Sequence, residues 1–492
     1  MRLQVPLFLL FSLCAVPASA QQSEPVTCTQ FVAWTAGGIS SQRLNRLAHE
    51  RGIAFTLDSA TSRSLSASGV NPELLQSLRS LTPESAISGK AATGTSEAAC
   101  PTLLVRAAEL VRQKNYQEAR RAFRELISAD PDNAALHFAM GYLYQLQGDW
   151  DAAADSYENS EELMPGLSDV HGRLAYLLYR TDDGYSAIAE ARTALSIDPK
   201  NAEAYRFLGL GLYSNGKYSA AIHAFRESLA RDPKSADVYY DMGITLRDTG
   251  DIDAAAAAYR KAIALNPAFW EAHNNLGMLL HDLRSYDGAI AEYLEAKRLA
   301  PAESIVRNNL GNTYCDKGDY DAAIAEFREL FRNDSGWQRG HDCLSRALMS
   351  RRDYQGAITE LKLAILQNPD SPDEHRYLGQ TLLLVHRQEE AVRELRLAVQ
   401  LDPDSPLAHH YLATALFSAE QYQAAEAEFR QAVRLQPTAD NHYYLSACLM
   451  SMGRYDAALI ELDTAARLEP AQNLYRTRKQ ELLKLMKASN VR

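Results

Sequence analysis

The stretch AEAYRFLGLGLYSNGKYSAAIHAFRESLARDP, from Ala202 to Pro233, decides how this chain of 492 residues folds. Its apolar residues recur at helical intervals in two segments, which Ser214–Lys217 separates. Gly216 in that turn suits the left-handed conformation that commonly ends a helix, and Pro233 cannot continue the second helix. The stretch therefore predicts a pair of antiparallel helices joined by a tight turn.

The same pattern recurs every 34 residues along the chain. A small residue lies 24 positions before the proline that ends a unit, an alanine lies 12 positions before it, and an aromatic residue usually follows that alanine by four. The prolines of this period are Pro131, Pro165, Pro199, Pro233, Pro267, Pro301, Pro369, Pro403 and Pro437, with Ser335 in the one missing place. Because a single helix pair cannot bury its apolar face alone, such units are expected to stack and share a core.

The repeated unit resembles the tetratricopeptide repeat, and about eleven units cover residues 100–470. The resemblance implies an all-α fold: a right-handed α-solenoid of about eleven helix hairpins, with a concave groove lined by the first helix of each hairpin. The final segment, 471–492, predicts an amphipathic helix with basic residues on one side. We expect this helix to cap the apolar end of the array.

The first twenty residues, MRLQVPLFLLFSLCAVPASA, have the pattern of a secretory signal peptide. Arg2 precedes a short apolar run, and Ala18–Ala20 supplies the small residues of a cleavage site. The run is too short for a membrane helix, and no later run approaches the roughly 18 apolar residues that such a helix needs. We therefore expect cleavage near Ala20 and a periplasmic or secreted protein without an integral membrane segment.

Two further segments precede the repeats. Residues 21–81 predict a small, mostly helical module, with one helix that begins at Ser40 or Ser41 and stops at Gly52 and another that begins at Asn71. This module weakly resembles small helical modules attached to secreted bacterial repeat proteins, a likeness that implies no chemistry. Residues 82–99 are small and polar, and they predict a flexible linker.

Charge and cysteine content narrow the function classes. The formal net charge of −11 argues against nucleic-acid binding, which needs clustered Lys and Arg. After signal cleavage five cysteines remain, so at least one has no intramolecular partner. Cys28 and Cys100 bracket the module, and whether a disulfide joins them is left open. The five are Cys28, Cys100, Cys315, Cys343 and Cys448.

Positions within a repeat are counted from the residue equivalent to Ala202, which is position 1. Histidines recur at position 4 of seven repeats, and Tyr205 and Tyr239 occupy that position in two others. A metal site is the tempting interpretation, but equivalent positions of stacked helices lie about 8–10 Å apart. Zinc needs nitrogen ligands about 2 Å away, so this row predicts packing between helices instead. The seven are His137, His171, His273, His341, His375, His409 and His442.

The motifs of catalysis are incomplete or absent from the sequence. GLYSNGK, from Gly211 to Lys217, has the glycine and lysine spacing of a phosphate-binding loop, but Tyr218 replaces the magnesium ligand. We therefore predict no enzymatic activity, no cofactor and no metal.

We call the first helix of each repeat helix A and the second helix B. The helix-A face, which we define as positions 2, 5, 6, 9, 12 and 13 of each repeat, is the candidate binding surface. Tyrosine gives broad contacts, and asparagine can bond both the N–H and the C=O of an extended peptide. Asn275 and Asn309, in HNNLGMLLHD (273–282) and RNNLGNTYCD (307–316), resemble the asparagine ladder in the repeat superhelix of O-GlcNAc transferase. The predicted groove residues are Tyr213, Tyr240, Arg247, Asn274, Asn275, Asn308, Asn309, Asn312 and Arg346.

The sequence thus favours a scaffold of the cell envelope that binds other proteins or extended peptides and has no chemistry of its own. The alternative is an accessory subunit for polysaccharide export, pilus assembly or glycosyl transfer, whose catalytic part is a separate chain. Self-association through the N-terminal module is a third reading that the sequence leaves open.

Overall fold

The computed structural model describes residues 24–81, 100–337 and 339–489, with side chains up to 486. The predicted signal peptide and the predicted linker, 82–99, lie outside these ranges. Within them the fold is all-α, as predicted, with 27 helices and one isolated parallel bridge between Val26 and Ile53. Among the described residues, none of the helices is both long enough and apolar enough to span a bilayer. The chain also forms two larger compact units, each of which contains several repeats. They divide between Leu265 and Asn266, and we call them the first unit and the second unit.

The N-terminal module consists of four short helices, α1–α4. Ser40 caps α2 and Gly52 ends it, and the side chain of Asn71 accepts a hydrogen bond from the backbone of α4, so both predicted helix starts are correct. Trp34 is fully buried in a core that the module shares with the first repeats. A disulfide joins Cys28 to Cys100, with 5.2 Å between their Cα atoms. The four helices are α1 (Cys28–Ala36), α2 (Ser41–Arg51), α3 (Ser59–Ser68) and α4 (Pro72–Leu78).

Five helix hairpins, repeats 1 to 5, complete the first unit. Helix A and helix B of each hairpin pack against each other, and the helices B of repeats 1 to 4 each pack against the next helix A. The helices are α5 (Thr102–Arg112), α6 (Tyr116–Ala129), α7 (Ala134–Gln147), α8 (Trp150–Leu163), α9 (Ser168–Arg180), α10 (Gly184–Ile197), α11 (Ala202–Ser214), α12 (Tyr218–Arg231), α13 (Ala236–Asp248) and α14 (Ile252–Leu265).

Six hairpins, repeats 6 to 11, and a final helix form the second unit. The final helix, α27, packs on α26 and buries Tyr475 and Leu482, which confirms the predicted cap. The helices are α15 (Trp270–Asp282), α16 (Tyr286–Leu299), α17 (Ser304–Lys317), α18 (Tyr320–Asn333), α19 (His341–Ser350), α20 (Tyr354–Gln367), α21 (Pro372–Leu384), α22 (Gln388–Leu401), α23 (Pro406–Ser418), α24 (Tyr422–Leu435), α25 (Ala439–Ser451), α26 (Tyr455–Leu468) and α27 (Asn473–Ser489). The predicted solenoid of about eleven hairpins is confirmed.

The small residue at position 8 is what lets the two helices of a hairpin cross closely. A Cβ atom on Gly209 would lie 2.5 Å from the ring of Phe225, and one on Gly277 would lie 2.8 Å from the ring of Tyr293. These rings sit 16 residues downstream in the same hairpin and are fully buried. The periodic glycine and the periodic aromatic residue are therefore one packing contact, repeated along the chain.

The turn inside each hairpin always places one residue in the left-handed region. Glycine occupies that place in five repeats, as predicted for Gly216, but six repeats use other residues there. Their φ angles lie between 57° and 65°, a conformation that costs an L-residue roughly 1–2 kcal/mol. The five glycines are Gly148, Gly216, Gly250, Gly318 and Gly453, and the others are Lys114, Asp182, Arg284, Arg352, His386 and Glu420.

Repeat 8 departs from the pattern where the periodic proline is missing. Its first helix, α19, has 10 residues, whereas the first helices of repeats 2 to 7 have 13 or 14. Ser335 stands in the proline position, and Gly340 precedes the helix with a φ of 96°.

Candidate partner-binding surface

In the first unit, the helix-A faces of repeats 2 and 3 are covered by the N-terminal module. The Gly37–Gly38 turn between α1 and α2 lies against Phe138 and Tyr142 of α7. A Cβ atom on either glycine would come within 2.6 Å of a ring, so only glycine backbone fits there. A segment outside the repeats thus occupies positions 5 and 9 of repeat 2.

Arg173, at position 6 of repeat 3, binds this turn through a hydrogen bond. Its Nη2 donates to the carbonyl oxygen of Gly38 at 2.9 Å and lies 3.2 Å from Glu203. Its guanidinium also stacks over the ring of Tyr142, 4.9 Å from the centroid. Burial opposes the charge of Arg173, but Glu203 and its other neighbours raise its pKa overall. The arginine is therefore a buried cation that recognises a backbone carbonyl.

Helix α2 adds a second set of contacts through two arginines. Arg43 forms ion pairs with Asp169, at position 2 of repeat 3, and with Asp198 in the connection that follows α10. Arg46 also pairs with Asp198 and donates to the carbonyl oxygen of Lys200 at 2.7 Å. The module is thus held by charge-assisted hydrogen bonds as well as by the shared core.

Two of the three predicted groove residues of repeats 4 and 5 share one carboxylate partner, and the third packs against an aromatic ring. The hydroxyl of Tyr213 donates to Asp248 at 2.6 Å, and Arg247 donates to the other oxygen of the same carboxylate at 2.9 Å. Burial and the bond to Asp248 raise the pKa of Tyr213. The ring of Tyr240 lies 6.0 Å from that of Tyr259. All three predicted side chains are half-buried.

In the second unit, the asparagines of repeats 6 and 7 bond to one another. Asn309 donates to Asn274 at 3.0 Å, and Asn274 donates to Asn275 at 3.3 Å. Asn274 and Asn308 are buried, and the latter accepts from the indole of Trp337 at 3.4 Å. The neighbouring positions, Asn275 and Asn309, are half-buried. Part of the predicted ladder therefore joins adjacent first helices.

The last two predicted residues lie on the same helices. Asn312 is half-buried on α17. Arg346, on α19, lies 3.6 Å from Asp316 and donates to the sulfur of Cys343 at 3.3 Å. Asp316 also contacts Nε2 of His281 at 3.1 Å.

The nine predicted residues belong to different units. Three of them lie in the first unit, and the other six, Asn274 to Arg346, lie in the second. Within the second unit the structure brings Asn274, Asn275 and Asn309 together.

The fourth-position histidines have a partner that the sequence analysis missed. Nδ1 of six of them lies 2.6–2.8 Å from a glutamate 19 residues downstream, on helix B of the same hairpin. In repeat 7, Arg307 takes the histidine position and contacts Glu326. Where position 4 is Tyr205 or Tyr239, position 23 is alanine. This paired variation was the signal that could have identified the contact. The pairs are His171–Glu190, His273–Glu292, His341–Glu360, His375–Glu394, His409–Glu428 and His442–Glu461.

The packing role predicted for these histidines agrees with their position between the helices, and five of the seven are buried. His137, whose position 23 is Ser156, instead contacts the carbonyl oxygen of Pro131 at 2.8 Å.

The hairpins and the regular packing between them define a helical repeat protein. The family model of the tetratricopeptide repeat matches residues 104–165, 240–304, 344–406 and 412–473, which together make up more than half of the chain. Two further tetratricopeptide models match residues 212–257 and 306–332. The chain belongs to the tetratricopeptide repeat family, as its sequence pattern predicts.

Three solved structures that are similar to this chain align over different fractions of its length. The chain is 23% identical to PilF of Pseudomonas aeruginosa, which aligns over 43% of this chain and 97% of that one with a TM-score of 0.39. It is 16% identical to yeast Tom70, over 79% and 95% of the two chains, with a TM-score of 0.32. The Cut9–Hcn1 structure is 13% identical over 90% and 89%, with a TM-score of 0.42. None of the curated proteins compared matches this sequence.

Proposed function

We propose that this protein is a non-enzymatic scaffold that binds an extended segment of a partner protein on a helix-A face, with one candidate surface on repeats 4 and 5 of the first unit and another on repeats 6 to 8 of the second. The observation that carries the proposal is the docking of the N-terminal module. Repeats 2 and 3 hold a Gly–Gly turn through aromatic rings and through an arginine bonded to a backbone carbonyl. The same face of later repeats presents tyrosines, arginines and asparagines at equivalent positions.

Recognition of this kind depends on main-chain atoms of the partner more than on its side chains. An amide side chain offers both donors and acceptors, so it matches the N–H and C=O of an extended peptide. Half-buried asparagines lose little further side-chain entropy on binding because their neighbours already position them. We therefore expect affinity with modest sequence preference.

We place the protein in the periplasm or outside the cell. The apolar segment that ends at Ala20 supports this location, and so does the disulfide between Cys28 and Cys100, because such bonds persist in oxidising compartments. The intact mass of the protein recovered from an envelope fraction tests this placement. A first residue near Gln21 is expected, and an uncleaved chain in the cytoplasm would contradict it.

The binding proposal is tested with a displayed peptide library selected on the immobilised protein. Peptides that bind the natural chain should lose most of their affinity for the double variant Asn275→Ala with Asn309→Ala. The matched control is Gln355→Ala with Gln423→Ala, which removes two exposed amides from second helices. N-methylation of single backbone amides in a selected peptide should weaken binding more than replacement of its side chains by alanine. Equal binding by both double variants would place the partner elsewhere.

A further inference from the structure

Two buried thiols lie together where repeats 7 and 8 meet. Sγ of Cys315, near the end of α17, donates to the carbonyl oxygen of Cys343 in α19 at 3.2 Å. The two residues are 5% and 2% exposed, and they belong to one apolar cluster with Phe327 and Leu344. The two cysteines, which come from neighbouring first helices, are therefore in direct contact.

The surroundings of the pair favour the loss of a proton from one thiol. The interaction of the two side chains lowers the pKa of the Cys315 thiol and raises that of the Cys343 thiol. Burial opposes the first shift, and the guanidinium of Arg346, which donates to Cys343 at 3.3 Å, supports it. In Cys448, by contrast, burial raises the pKa of the thiol to about 11. Thiol–disulfide exchange begins with a thiolate, so Cys315 is the better nucleophile of the described free cysteines.

The pair also lies at the irregular junction of the array. Repeat 8 lacks the periodic proline before it, and its first helix is short. Helix α17 packs directly against the shortened α19. A covalent link between Cys315 and Cys343 would hold the two first helices together at this junction.

We propose that Cys315 and Cys343 form a second disulfide, which joins the first helices of repeats 7 and 8. The thiolate of Cys315 attacks one sulfur of a low-molecular-weight disulfide such as oxidised glutathione, and one glutathione thiolate leaves. Cys343 then gives its proton to solvent and attacks Sγ of Cys315, which expels the second glutathione. The protein pair loses two protons and two electrons in total, and the oxidant becomes two thiols. Of the five cysteines after the signal segment, only Cys448 then stays reduced.

The test refolds the reduced full-length chain in a glutathione redox buffer, quenches it with acid, alkylates the free thiols in denaturant and maps the peptides by mass spectrometry. The cross-link between Cys28 and Cys100 is the internal control for oxidising conditions. We expect a second cross-link between the peptides of Cys315 and Cys343, and complete alkylation of Cys448. Alkylation of both Cys315 and Cys343 in a sample with the first cross-link formed would overturn the proposal. A bridge from either of them to Cys448 would overturn it too.

A variant separates the chemistry from a mere effect on folding. In Cys343→Ser the exchange cannot be completed, so we expect a mixed disulfide between glutathione and Cys315 in samples quenched early in refolding. The matched variant Cys315→Ser removes the nucleophile with the lowered pKa, and Cys343 should then remain unmodified. Modification of Cys448 in place of Cys315, or no modification of Cys315 in early-quenched Cys343→Ser, would contradict the assigned order of attack.

Discussion

Repeats 2 and 3 and repeats 6 and 7 use the same helix-A positions in two different ways. In the first region, Asp169 and Arg173 bind a segment from outside the repeats. In the second region, Asn274 and Asn309 bind each other across adjacent helices. The comparison shows that this face can bind an incoming backbone or can link adjacent helices of the array. In these two regions the contacts to the module include charged residues, and the contact between neighbouring helices is made by neutral amides.

The largest effect is expected from Arg173→Leu, which removes the charge that the first region uses. The carbonyl oxygen of Gly38 loses its donor, and Glu203 loses its buried partner. Breaking a buried ion pair costs about 3–5 kcal/mol, and the partial exposure of Glu203 puts the expected loss near the low end, about 3 kcal/mol. Hydrogen exchange in α1 and α2 should rise accordingly. Arg180→Leu, an exposed arginine of the same helix, is the control, and equal exchange in both variants would remove the special role of Arg173.

A smaller effect is expected from Asn309→Ala in the second region. The substitution breaks one neutral hydrogen bond and leaves the side-chain oxygen of Asn274 without this donor. Such a bond contributes about 0.5–1.5 kcal/mol, so we expect a loss of about 1 kcal/mol in urea unfolding of the second unit. Asn312→Ala on the same helix should change stability by less than about 0.5 kcal/mol. A loss as large as that in Arg173→Leu would show that the amide contact contributes as much as the buried ion pair.

The turns of repeats 5 and 6 allow a comparison of backbone instead of side chains. Arg284 adopts a φ of 57° where Gly250 stands one repeat earlier. Relief of that conformation in Arg284→Gly is partly offset by the greater freedom of glycine in the unfolded chain, which leaves a gain of about 0.5 kcal/mol. Gly250→Ala should lower stability instead. Thermal unfolding measures both variants, and a loss in Arg284→Gly would mean that its side chain contributes more than its backbone costs.

The smallest effect concerns pH and the His171–Glu190 pair of repeat 3. The hydrogen bond to Glu190 is the largest cause that raises the pKa of His171 in the folded state. A raised pKa gives stability that is fully present below the unfolded value of about 6.5 and is lost as pH rises through the folded value. The melting temperature should therefore fall with rising pH in this window. Glu190→Gln should flatten part of that slope, and an unchanged slope would exclude the pair as its source.

Sequence predicts the repeat far better than it predicts the binding surface. The spacing of prolines, small residues and aromatic residues reflects contacts inside one hairpin, such as Gly209 with Phe225, and local contacts leave a periodic record. The docking of Gly38 on Arg173 joins residues 135 positions apart, and neither has a periodic equivalent that marks it. The His–Glu pairs lie between these cases, because their 19-residue spacing is periodic but visible only when both positions are compared.

The disulfide between Cys28 and Cys100 changes what a break in the backbone would do. Leu81 and Cys100 bound the segment that connects the module to the repeats, and the bridge spans that segment. A protease that cuts once between them would leave two pieces joined through sulfur, which migrate as one band until a reductant is added. The module would thus remain attached to the protein after such processing, and only reduction followed by undocking would release it.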